Sequence, residues 1–292
     1  MGKIGIFVER YTMSDSEVMS ALMRIAQIAH HWGHRTEFIF RPEMWKIPEF
    51  DAIYIRATTD PLNSSYVTSR IAELNGIKVV DDSASIRICC DKVNMYTHLI
   101  KAKIPIPETR FIKPGELTYK RGKELLDELG KPLVLKAPYS SFSMYVEKAS
   151  TPAEFVKIGK KYMRRADRVV VQKFVKSEFD WRVGVLGGEA IFVCQYTIPK
   201  LQWKVSTYTQ QGKEIYGPVR GVPLKKASPK MIKTALAAAA AIGKGLYGVD
   251  LKQVGSDFVV IEVNDNPTIA HGEEDQQAPD IYKKIIKFLL AK

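Results

Sequence analysis

The chain has 292 residues, 46% apolar and 26% charged, with 44 basic against 32 acidic side chains and a net charge of +12. That length and balance suit a soluble globular protein of two or three small domains with a substantial core. No apolar run approaches the ~20 residues of a membrane span, and three cysteines without a CxxC pair support neither a disulfide framework nor a zinc site.

The positive charge favours anionic partners, which could be a nucleic acid, a nucleotide or an acidic substrate. The lysines are scattered, so charge alone does not choose between these, and a lysine-rich surface of the thermophile kind fits equally. The start, MGKIGIFVER, lacks a signal-peptide layout and predicts a first strand, so a cytoplasmic location is expected.

Residues 1–85 alternate strand and helix. Strands are predicted at Lys3–Val8, Thr36–Phe40, Ala52–Ile55 and Ile77–Val80, with helices at Asp15–Trp32 and Ser64–Leu74. This alternation argues for a parallel α/β sheet. No GxGxxG follows the first strand, which speaks against a dinucleotide-binding domain. Arg56 lies in the loop after Ala52–Ile55, at the strand end where α/β sheets place ligands, and is a candidate for gripping a substrate carboxylate.

Asp91-Lys92 opens a helix through about Lys101, and Ile104-Pro105-Ile106-Pro107 ends it. In Gly130–Lys136, Lys136 closes an apolar strand just before a loop, badly placed for packing but well placed to reach a phosphate as a point charge. Thr151–Tyr162 reads as a charged helix and Arg168–Val175 as a strand running into a linker. Phe179–Leu186 and Glu189–Ile198 form a hairpin around Gly187-Gly188, with Asp180 and Arg182 two apart and facing one side. Lys200–Lys213 is polar and aromatic without a clear period. Ser228-Pro229 starts a helix with serine as its cap.

Residues 248–267 read GVDLKQVGSDFVVIEVNDNP, a second hairpin with Gly255-Ser256-Asp257 at its turn. Glu262 and Asn264 point to one face. With Asp250 they form an all-oxygen cluster suited to Mg²⁺ or Mn²⁺ holding a nucleotide triphosphate. Three ordinary polar residues on a solvated face are the alternative, weakened because Glu262 interrupts an apolar run. A final helix is predicted over Asp280–Leu290, with His271 as a loop residue or substrate contact outside the metal shell.

The order and spacing of GVD…EVNxNP, DK…IPIPET, the P-hydrophobic-K strand and D-x-R before a hairpin resemble the ATP-grasp superfamily, in particular its RimK-like carboxylate–amine ligases. The resemblance implies an α/β pre-ATP-grasp domain (1–86), a central lobe (87–172) and a C-terminal lobe carrying the metal site (173–292), the two α+β lobes enclosing ATP. It implies that Asp250, Glu262 and Asn264 hold Mg²⁺ (or Mn²⁺). Lys92, Lys136, Ser141, Ser143 and Asp180 would bind ATP, with Gln172, Lys173, Phe174 and Val175 as the adenine hinge. Arg182 and Lys136 would be catalytic, and Arg56, Lys204 and Asn266 would contact substrate.

The implied reaction joins a small-molecule or peptide carboxylate to an amine, glutamate being the usual one, through an acyl-phosphate. One segment departs from the pattern: Pro138–Tyr145 has no glycine where the superfamily is glycine-rich, leaving serine hydroxyls and backbone amides for phosphate. That departure keeps open a nucleotide-binding module without turnover. The charge keeps open a basic ribosome- or RNA-associated protein, although no RNA-binding motif is recognisable. A homo-oligomer is also open.

Overall fold

Four parallel strands, β1 (Lys3–Phe7), β2 (Arg35–Ile39), β3 (Ala52–Ile55) and β4 (Lys78–Val80), make the first sheet in the order β2-β1-β3-β4. The structure, a computed structural model, describes residues 1–139, 145–208 and 214–291. Helix α1 (Ser16–His31) starts where Asp15 accepts from the Val18 amide, and α2 (Ser64–Leu74) where Asn63 accepts from the Ser65 and Tyr66 amides. These caps satisfy amides that have no partner inside the helix. A short α3 (Ser83–Cys89), not foreseen from the sequence, leads out of the domain.

Helix α4 (Lys92–Lys101) is capped by Asp91, as the sequence predicts. Strands β5 (Thr109–Ile112), β6 (Leu133–Lys136), β7 (Val146–Ala149) and β8 (Val169–Lys173) form an antiparallel sheet ordered β5-β8-β6-β7. Its helices are α5 (Tyr119–Leu129) and α6 (Pro152–Met163). Leu133, Leu135, Val169 and Val171 pack against Leu125, Leu126, Phe155 and Ile158. Side chains alternate across a strand, so Val134, Lys136 and Gln172 are sent to the opposite face.

The C-terminal sheet runs β13-β10-β9-β14-β15, antiparallel throughout. Its strands are β9 (Phe179–Leu186), β10 (Glu189–Thr197), β13 (Val219–Gly221), β14 (Leu246–Val254) and β15 (Asp257–Asn264). Gly187 and Gly188 turn the first hairpin at φ 59° and 90°, a region that disfavours other residues. The stretch read as lacking a period carries the short pair β11 (Ser206–Tyr208) and β12 (Glu214–Tyr216).

Helix α7 (Pro229–Ile242) buries Met231, Ala235, Ala238 and Ala239 against this sheet. Ser228 sits at its cap position, but its side chain makes no cap bond, a correction to the expected serine cap. Proline at the first position, with its fixed φ and missing N–H, sets the start instead.

Two packing relations cross the expected borders. Helix α4 puts Val93, Tyr96 and Leu99 into the C-terminal core with α7, although its sequence position lies in the central lobe. Helix α8 (Ile281–Leu290) packs Ile281, Ile285 and Leu289 with Ile4, Leu22 and Ile25 of the first domain. The chain's two ends therefore share one core. Among the described residues, no helix is long and apolar enough to cross a membrane.

Candidate active site

Strands β14 and β15 pair Asp250 with Glu262 and Gly248 with Asn264, with a register shift just after Asp250. Asn264 Nδ2 donates to Asp250 Oδ2 at 3.0 Å and to the Gly248 carbonyl at 3.2 Å. Asp250 accepts from Arg182 Nε at 2.6 Å and Nη2 at 2.9 Å, and Glu262 from Lys92 Nζ at 2.7 Å. Burial pushes the Glu262 carboxyl up, but Lys92 and Lys136 outweigh it and hold it below the ordinary carboxylate range.

The chain's own cations therefore sit against the oxygens that would hold a divalent ion, and the oxygen donors fit Mg²⁺ or Mn²⁺. Among the described residues no group of three His, Cys, Asp or Glu side chains makes a metal site by itself. Asp250, Glu262 and Asn264 would hold such an ion, which would supply positive charge for a phosphate.

Of these three residues, Glu262 lines a cleft between the central and C-terminal sheets. Lys92, Lys136, Gln172, Lys173, Phe174, Val175, Asp180, Lys204 and Glu262 all line it. Lys136 is 6% exposed and donates to the Tyr96 hydroxyl at 2.7 Å. Burial draws its pKa down to about 8, against the pull of Glu262, Asp180 and Asp250. Gln172 Nε2 donates to Thr109 Oγ1 at 2.9 Å, and its Oε1 lies 3.2 Å from the Tyr96 hydroxyl.

The Lys173 amide donates to the Glu108 carbonyl at 3.0 Å, and Phe174 and Val175 follow it along the cleft. Phe174 meets Trp203 edge-on, and Lys148 Nζ lies 3.7 Å from the Phe174 ring centre and 4.5 Å from that of Trp203. Lys204 Nζ reaches the Val146 carbonyl at 3.1 Å, so this residue lies in the same cleft as the nucleotide candidates. Ser141 and Ser143 lie outside the described residues.

Asp180 and Arg182 share a face of β9, as their spacing requires, yet they do not pair with each other. Register sets Arg182 opposite Asp250, and Asp180 bonds Lys252, two residues further along β14. Lys252 also lines the cleft and was missed in the sequence. Its position two after Asp250 on one strand face was the available signal. Trp203, which lines the cleft, Tyr96, which accepts from Lys136, and Lys148, which stands over the Phe174 and Trp203 rings, were missed too, because only the folded sheets bring them together.

Residues 89–289 match the RimK-like ATP-grasp domain. The chain belongs to the RimK-like ATP-grasp family. It is 27% identical over 250 residues to a probable alpha-L-glutamate ligase 1 of Shewanella denitrificans, covering 84% of this chain and 79% of that one. A probable alpha-L-glutamate ligase of Aliivibrio fischeri is 26% identical over 310 residues, with 98% and 95% covered. Among solved structures, the ATP complex of D-alanine–D-alanine ligase from Bacillus anthracis superposes with a TM-score of 0.72 at 17% identity, over 99% of this chain and 95% of that one. A RimK-domain ATP-grasp protein from Sphaerobacter thermophilus gives 0.70 at 18%, over 99% and 100%. These likenesses show the ATP-grasp fold expected from the sequence.

In this ATP-grasp chain the remaining substrate candidates lie apart from the nucleotide cleft. Arg56 is 7% exposed and donates through Nη1 to Asn266 Oδ1 and to the Pro267 carbonyl, the latter at 2.8 Å. Asn266 Nδ2 in turn donates to the Ala57 carbonyl. The two residues therefore hold each other, tying the β3 loop to the exit of the β14–β15 hairpin. Burial pushes Asp265 beside them up to about 7 and Asp81 well above the ordinary range. His271 bonds Asp275 at 2.7 Å and Arg24 at 2.9 Å, a loop residue as expected.

Proposed function

We propose that this chain is an ATP-dependent carboxylate–amine ligase that releases ADP, takes Mg²⁺ or Mn²⁺ at Asp250, Glu262 and Asn264, and uses L-glutamate as the amine. One observation carries the reading: Glu262 shares a cleft with Lys92, Lys136 and residues 172–175, and Asp250, bonded by Asn264, is paired with it across β14 and β15. The glutamate ligase names of its relatives support glutamate. The acceptor is a small-molecule or peptide carboxylate. Three free thiols and the need for ATP fit a cytoplasmic location.

A carboxylate oxygen of the acceptor forms a bond to the γ-phosphorus, and the bond from that phosphorus to ADP breaks. The amine nitrogen then bonds to the acyl carbon, phosphate leaves and the nitrogen loses a proton. A metal at this site would neutralise phosphate charge when bound. Lys92 and Lys136 add point charges, and Arg182 offers N–H groups to the oxygens that gain charge. Catalysis of this kind rests on placement and charge, with little demand for a side-chain base.

The test is ADP release with L-glutamate against a panel of carboxylates, followed by mass measurement of the product. Turnover that yields an N-acyl glutamate, lost in Glu262→Gln, supports the reading. Mg·ATP binding without ADP release from any pair overturns it in favour of a nucleotide-binding module.

A further inference from the structure

A buried chain of bonds stands behind Arg182. Its Nη1 lies 3.3 Å from the Tyr196 hydroxyl, and the guanidinium stacks 4.6 Å from the Tyr196 ring centre. The Tyr196 hydroxyl bonds Glu274 Oε1, and Glu274 Oε2 accepts from the Ala270 amide at 2.8 Å. Glu274 is 1% exposed. A carboxylate in such a place is rare without a specific partner.

The chemistry of this chain has a direction. A tyrosine hydroxyl has one proton and two lone pairs. Glu274 is the stronger acceptor, so the Tyr196 proton points to it and a lone pair is left facing Arg182. The arginine is then held at two places, with Nε and Nη2 on Asp250 and Nη1 on Tyr196. Asp250 is also a proposed metal ligand, and a metal ion there would weaken its hold on the guanidinium. Tyr196 is the partner that a metal does not compete for.

We infer that Tyr196 and Glu274 are positioning residues that aim Arg182 at the transferred phosphoryl group when Asp250 serves the metal. The inference rests on the ligase reading for Arg182, but the geometry it describes does not. It also gives the loop after the metal hairpin, from Ala270 to Glu274, a role beyond closing the domain. An orienting carboxylate behind a catalytic group commonly governs its placement, and loss of such placement costs about 10- to 100-fold in rate.

The experiment compares wild type, Tyr196→Phe, Glu274→Gln and Glu274→Ala. Two readouts are taken: kcat and KM for ADP release, and ¹⁵N-arginine side-chain spectra of the Mg²⁺-loaded protein, with Arg182 assigned through Arg182→Lys. The Phe variant keeps the ring and the packing, so it isolates the hydroxyl. Expected are a kcat about 10- to 100-fold lower for Tyr196→Phe, with the KM for ATP within about twofold, and a slowly rotating Arg182 guanidinium that becomes mobile. Glu274→Gln, which keeps an acceptor oxygen, lies closer to wild type than Glu274→Ala.

An unchanged kcat and spectrum in Tyr196→Phe, or equal losses in kcat and ATP affinity, overturns the inference. If no acid–amine pair turns over while the Arg182 signal still depends on Tyr196, the ligase reading fails and the positioning stands.

Discussion

Arg182 holds Asp250 side-on across paired positions of β9 and β14, with Nε 2.6 Å and Nη2 2.9 Å from the carboxylate oxygens. The same carboxylate is a proposed metal ligand, so an arginine and a divalent ion address one residue. In metal-free protein the guanidinium balances its charge. Arg182→Ala should lose about 2 kcal/mol of stability in metal-free buffer, the scale of a charge-assisted hydrogen bond. Mn²⁺ should then raise its melting temperature more than that of wild type. Thermal melts with and without Mn²⁺ check this, and equal gains for both proteins would refute a shared carboxylate.

Glu262 is the second proposed ligand, and its partner Lys92 is only 4% exposed. Truncating Glu262 to alanine takes the carboxylate away from a buried ammonium, which costs stability as well as function. The glutamine variant keeps the shape and an acceptor oxygen while removing the charge. Glu262→Gln is expected to melt within a few degrees of wild type and to lose ADP release by about 100-fold or more, the scale set for removal of one electrostatic contact in a site. Near-normal turnover in a folded Glu262→Gln protein would end the metal assignment.

How much of this was legible follows from what each feature depends on. Asp250, Glu262 and Asn264 could be grouped from the sequence, because a strand repeats every two residues and the hairpin turn is marked by glycine. The same rule put Asp180 and Arg182 on one face. Which partner each would take was hidden. Arg182–Asp250 and Asp180–Lys252 depend on the β9–β14 register, and Lys92–Glu262 joins residues far apart in the chain.

Helix α5 was passed over although Thr118 caps it and Leu125, Leu126 and Leu129 form its buried stripe. Its first turn carries Tyr119, Lys120, Arg121 and Gly122, which mask the period. The placing of α4 and α8 in cores belonging to other parts of the chain is a matter of topology that no local pattern records.

Lys136 gives the site a pH dependence with a definite sign. Burial lowers its pKa from 10.5 to about 8, while Glu262, Asp180 and Asp250 act to raise it and Tyr96 accepts its hydrogen bond. Between those two values the unfolded chain binds more protons, so this group makes stability rise with pH across that window. Below pH 8 the penalty of the buried charge is present in full. Phosphate binding needs the charged form, so Mg·ATP affinity should fall as pH rises past about 8. Calorimetric titrations at pH 7 and 9 check this. Lys136→Arg, which stays charged, should flatten the pH response, and an unchanged slope would show that another group sets it.

Arg56 and Asn266 exchange bonds across two segments 210 positions apart. Their substrate role was an expectation from the loop position, whereas the geometry describes a clamp between the β3 loop and the hairpin exit. A clamp makes a thermodynamic prediction that differs from a surface contact. Arg56→Ala and Asn266→Ala should each destabilise the protein by about 2 kcal/mol, and the double variant should cost about 1 kcal/mol less than the sum. Denaturant unfolding supplies the three numbers. Strict additivity would mean that the two side chains act separately, and a rise in KM for the acid at unchanged stability would return Arg56 to the substrate.

Trp203 offers an optical view of nucleotide entry. It meets Phe174 edge-on, and Lys148 lies within cation–π reach of both rings. Phe174 and Trp203 line the cleft beside Val175, where the proposed hinge would receive a base, and Lys148 stands over both rings. A purine entering there must displace the Lys148 ammonium or stack beside it, and either change alters the field at the indole. Mg·ATP should therefore change tryptophan emission in wild type and not in Trp203→Phe, whose remaining indoles are Trp32, Trp45 and Trp181. Trp203→Phe should also bind Mg·ATP more weakly by about fivefold, on the scale of one aromatic stacking contact. If the emission change persists in Trp203→Phe, the signal comes from another indole and the base does not lie against this aromatic pair.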